Sequence, residues 1–113
     1  MRMVIAALLL LIGTSEALVQ TPKELLDPVR IQKAAQELTL YTRSGEICGF
    51  PNHPGAKVYY SFLRTVNNQA TELGIESAIL MVDGMIARHG KSHVCAEAAP
   101  TRPGMERLLS SLN

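Results

Sequence analysis

Cys48 and Cys95 are the only cysteines in the chain. Two thiols cannot make a zinc site of cysteines alone, and no C-x-x-C pair is present. In an oxidising compartment they would pair with each other, closing a loop of about 48 residues. His89 and His93 form an H-x-x-x-H pair, and Met81, Met85 and Met105 are soft potential ligands. That set suits copper or zinc only if both histidines share one helix face. Gly90 between them weakens such a helix, and no carboxylate completes the site. The histidines instead read as a polar helix end, where imidazole suits the negative end of the dipole. No metal and no cofactor is expected.

Nucleophilic catalysis needs an activated Ser or Cys beside an oriented base. The chain has no G-x-S-x-G, no H-E-x-x-H and no Gly-rich phosphate loop. Its acidic residues are scattered singly. The chain is therefore not expected to be an enzyme. Eleven Lys and Arg against ten Asp and Glu leave a net charge of +1. That balance argues against nucleic-acid binding by phosphate neutralisation and against a polybasic membrane patch.

The N-terminus bears on the compartment. Arg2 followed by the apolar run Met3–Ile12 and the small residues Ser15 and Ala17 reads as a signal peptide over 1–17. A transmembrane anchor needs about 20 apolar residues, and Thr14 and Glu16 interrupt this run too early. Leu18, not Cys, follows the cleavage position, which disfavours a lipid anchor. The reading is an exported, periplasmic chain over 18–113, with no membrane association after cleavage. With 113 residues in all and only 4% aromatics, the core is small. A disulfide contributing about 4 kcal/mol would matter.

Strand signals are poor and helix signals frequent. Thr21-Pro22-Lys23-Glu24 is a capping box, and Asp27-Pro28 repeats the start signal. The stripe Ile31, Ala34, Ala35, Leu38 and Tyr41 predicts a first helix over 28–42, ended by Ser44-Gly45. Residues 46–55 read as a loop carrying Cys48. Apolar periodicity from Val58 to Ile86 predicts one long helix, or two nearly collinear ones divided at Gly74, with Gly90 as the stop. Asn67-Asn68-Gln69 reads as a solvated face or a hydrogen-bonding surface. Asp83-Gly84 suggests close helix–helix approach at Gly84, with Asp83 as a cap. Residues 91–99 read as an irregular connection carrying Cys95. Met105, Leu108, Leu109 and Leu112 predict a last helix. The fold class is all-α: a small three- to four-helix bundle tied by Cys48–Cys95, with 18–113 as one domain.

Val82-Asp83-Gly84-Met85, then Cys95, Pro100-Thr101 and the Met105–Leu112 stripe resemble the Rap/Tai group of exported immunity proteins. The resemblance covers about residues 79–112. It departs from the group at Glu97, where a proline is frequent. Members protect type VI secreting bacteria from delivered cell-wall amidases. The resemblance implies an all-helical, disulfide-tied fold, frequent homodimers, and a cell-wall hydrolase as protein partner, inhibited by occlusion of its active-site cleft. A more distant resemblance, at Ile79–Met85, is to the HdeA-type acid-stress chaperones. An accessory component of a secretion or conjugation apparatus is a third alternative. The polar, Gly- or Pro-shaped segments nearest the cysteines are the candidate partner-binding residues: Asn52 and His53, and His89, Lys91, Ser92 and His93.

Overall fold

Asp27 opens the first helix by accepting a hydrogen bond from the Val29 amide at 2.9 Å. In the computed structural model, which describes residues 27–112, this helix, α1, spans Pro28–Cys48. The segment 1–17 read as a signal peptide and the capping box expected at Thr21 lie outside the described residues. The compact unit begins at Ile31. α1 does not end at Ser44-Gly45. Ser44 is buried, and its hydroxyl donates back to the Tyr41 carbonyl at 3.0 Å, so packing carries the helix past two poor formers. The stop is Gly49, at φ 77°. The Phe50 amide then reaches the Gly45 carbonyl at 2.9 Å, a Schellman closure. Cys48 is therefore the last residue of α1, not a loop residue.

The second helix, α2, spans Gly55–His89 and is interrupted by one residue, Asn67 (φ −159°, ψ 97°). Tyr60 and Asp83 would stand about 35 Å apart on a straight helix. Yet Tyr60 bonds Thr39 and Thr42 of α1, while Asp83 bonds the neighbouring Arg43. The chain must double back at Asn67, giving two arms, 55–66 and 68–89. Asn67 caps the second arm: its side-chain oxygen accepts the Ala70 amide at 3.0 Å. The Thr71 hydroxyl bonds the Asn67 carbonyl at 2.8 Å. Arg64 and Glu72 pair at 2.8 Å across the corner. The two arms are thus not collinear, and the break is at Asn67, not Gly74. The polar cluster that read as a face is a corner.

The core is built on α1. Ile31, Ala35, Leu38 and Tyr41 pack with Ala56 and Leu63 of the first arm, Ala70 of the second, and Leu109. Close helix–helix approach occurs at Gly74, not Gly84. A Cβ on Gly74 would overlap the Gln32 carbonyl oxygen and stand 2.8 Å from Ala35 Cβ. A Cβ on Gly84 would meet only the mobile end of Arg88, at 3.3 Å. Asp83 is half-exposed and pairs with Arg43 at 3.1 Å instead of capping backbone.

Gly90, at φ 90°, stops α2 as expected. Residues 91–99 are not irregular. Lys91–Ala98 form a short helix, α3, followed by a 3₁₀ turn, Ala99–Thr101, and by α4, Arg102–Ser110. The Cys48–Cys95 disulfide (Cα–Cα 5.7 Å) ties α3 to the end of α1. Of the expected α4 stripe only Leu109 is fully buried. Met105 is partly buried, and Leu108 and Leu112 are exposed. Among the described residues there is no strand, and no helix is long and apolar enough to cross a membrane. The architecture is the expected all-α, disulfide-tied bundle.

The two glycines give opposite expectations in urea unfolding. Gly74→Ala should destabilise by about 1–3 kcal/mol through overpacking against backbone. Gly84→Ala should be neutral or stabilise by up to about 1 kcal/mol through helix propensity.

Candidate partner-binding site

The six candidate residues fall into two groups with opposite roles. Asn52 and His53 are half-buried; Asn52 bonds the buried side chain of Arg102, and His53 bonds Tyr41 and Ser110 beside it. Arg102 donates to the Tyr41 carbonyl at 2.8 Å, to the Pro51 carbonyl at 2.9 Å, and to Asn52 Oδ1 at 2.9 Å. Its guanidinium lies over the Tyr41 ring, 4.1 Å from the centroid, with the Phe50 ring at 5.2 Å. No carboxylate pairs with it among the described residues. Asn52 Nδ2 donates to the Thr42 carbonyl at 3.0 Å.

His53 is committed on every side. Its amide donates to the Tyr41 hydroxyl at 2.8 Å, and Nδ1 accepts the Gly55 amide at 2.9 Å. The neutral ring then carries its proton on Nε2, which meets Ser110 Oγ at 3.1 Å. Tyr41 in turn donates to Glu106 Oε2 at 3.1 Å. These residues close the bundle.

His89, Lys91, Ser92 and His93 are all exposed. They form a knuckle where α2 ends and α3 begins. The Gly90 amide bonds the Ile86 carbonyl at 2.8 Å, and the Val94 amide bonds the Gly90 carbonyl at 3.3 Å. The imidazole centroids are 4.9 Å apart, and His93 Nε2 lies 3.3 Å from Glu97 Oε2. Directly after the knuckle, Val94 is buried and Cys95 is bridged. The segment is thus polar and outward-facing, and anchored from one side by packing and from the other by the end of α2. No group of three His, Cys, Asp or Glu that could hold a metal occurs among the described residues.

Sequence reasoning missed Arg102. It stands in Pro100-Thr101-Arg102-Pro103, which reads only as a helix start. No local pattern marks an arginine whose acceptors are about 50–60 residues away in sequence. No protein-family model, curated protein or solved structure matches this chain.

Two outcomes test the inward cluster. Arg102→Met should lower unfolding free energy by at least about 3 kcal/mol, because three acceptors lose a charged donor. Burial, above all, raises the pKa of Tyr41 and of Tyr59 above 10.0, with Glu106 and Glu37 adding to it respectively. Their contribution to stability is complete below pH 10 and declines as pH rises toward the folded-state values, because the unfolded chain ionises first. The urea midpoint should therefore fall as the pH rises above 10.0, and less so for Tyr59→Phe.

Proposed function

We propose that this is an exported, periplasmic binding protein of the immunity type. It inhibits a secreted cell-wall amidase by covering the active-site cleft. The observation that carries the reading is the 89–93 knuckle: exposed, polar, and anchored by buried Val94 and the Cys48–Cys95 bridge. A protruding segment that is already ordered loses little entropy on binding. The disulfide fits an oxidising compartment. The resemblance to the Rap/Tai group lies over the same stretch, which holds the knuckle, α3 and α4. Asn52 and His53 have no part in the contact, since their polar atoms are engaged within the bundle.

One observation favours a second reading, a chaperone of the HdeA type that binds many unfolded chains. Phe62 and Leu80 are 52% and 73% exposed, and such apolar side chains can hold a client. The two readings differ in stoichiometry and selectivity.

Oxidised protein spanning 18–113, used as bait in periplasmic extract, should retain one folded cell-wall hydrolase at one-to-one stoichiometry, identified by mass spectrometry. Lys91→Glu should weaken that complex at least about tenfold and leave the melting temperature unchanged. A broad set of unfolded clients would overturn the immunity reading. Unchanged affinity of the Lys91→Glu protein would remove the knuckle from it.

A further inference from the structure

Beside the knuckle lies an apolar groove of about 390 Å³ between α1, the second arm of α2, α3 and α4. Its volume is at the low end of small-ligand sites, which run from about 300 to 1,000 Å³. The apolar walls are Leu40 of α1, Val82 and Met85 of α2, Val94 and Ala98 of α3, and Met105 of α4. Among the described residues, every titratable side chain on it other than Tyr41 is a carboxylate: Glu37 on one side and Glu97 on the other, with no Lys or Arg. Glu37 has no salt-bridge partner among the described residues, and Glu97 meets only His93.

We infer that this groove receives one or two large apolar side chains of a partner protein, on a segment where Lys or Arg flanks them. Three features support that occupant. Apolar walls left open among the described residues favour apolar side chains. Two carboxylates beside a low-dielectric wall attract a cation and disfavour an acidic segment. Met85 and Met105, on facing elements, let the walls adjust to the side chain that enters. The groove is continuous with the knuckle, since Val94, Glu97 and Ala98 belong to the helix that the knuckle starts. The inference therefore rests on the proposed protein partner and names the chemistry of its contact segment.

The bridge sets the groove's shape. Cys95 follows Val94 on one wall, and Cys48 lies one turn beyond Ser44, which also lines the groove. Reduction frees α3 from α1 and should weaken binding.

The probe is a fluorescein-labelled twelve-residue peptide with two leucines flanked by lysines in a Gly/Ser background, titrated into the oxidised protein. Two control peptides replace the leucines by serine or the lysines by glutamate. Fluorescence anisotropy should show the leucine–lysine peptide binding at least about tenfold more tightly than either control. Methyl shifts should change at Val82, Met85, Val94 and Met105. The exposed pair Glu37→Lys and Glu97→Lys should remove most of that preference. The Glu37→Gln, Glu97→Gln protein, which keeps side-chain shape, should reduce it without altering the melting temperature. Equal binding of all three peptides, or a preference untouched by both variants, would overturn the inference. If a hydrolase is captured and its affinity ignores Glu37→Lys and Glu97→Lys, the groove proposal fails and the immunity reading stands. If the peptide preference holds and only unfolded clients are captured, the immunity reading fails and the groove stands.

Discussion

A buried guanidinium held by neutral acceptors is the interaction on which the bundle closes. Arg102 reaches the Tyr41 carbonyl, about two turns before the end of α1, and two groups of the 49–54 connection, the Pro51 carbonyl and Asn52 Oδ1. Its acceptors are two backbone carbonyls and a side-chain amide, so neutral dipoles supply there what an acid would supply elsewhere. The planar fork of arginine satisfies three acceptors in different directions, which a lysine ammonium cannot do in the same flat slot over the Tyr41 ring. The consequence is positional. α4 is locked against α1, and Leu109 is delivered into the core beside Ala56 and Leu63.

The core itself is slight. Among the described residues only Leu38, Leu63, Leu109 and Thr71 are both sizeable and fully buried, and much of the rest of the core is alanine. Small residues let helices approach closely, as at Ala35 and Gly74, but they remove little apolar area from water. Two constraints offset that shortage. Asn67 folds α2 into a hairpin, so one short chain surrounds α1 on several sides. The disulfide ties α3, whose only buried residue is Val94, to the end of α1. The surface proposed to bind a partner is thus held by a covalent tie more than by packing.

Much of this was legible in the sequence, for identifiable reasons. The stripe from Ile31 to Tyr41 shows a helix because one face of α1 is buried throughout. The disulfide pairing had no alternative with two cysteines. The Asn67 corner was hidden because apolar periodicity continues on both sides of it, and asparagine, asparagine and glutamine resemble a wet surface. α3 was hidden because it is eight residues long with a single buried position, too little for a period to show. At the site, the exposure of His89, Lys91, Ser92 and His93 followed from their polarity beside a helix stop. Asn52 and His53 look equally exposed in sequence. A polar side chain that satisfies buried backbone groups cannot be told from a solvated one until its partners are placed, and these partners come from α1 and α4.

The bridge to α1 holds the knuckle and α3 as a preformed surface. Amide hydrogen exchange on the oxidised and reduced protein tests it most directly. Protection in residues 91–98 should approach that of α1 when Cys48 and Cys95 are bridged. It should fall selectively on reduction, with the 31–45 and 68–82 segments still protected. Identical exchange of residues 91–98 in both states would contradict it.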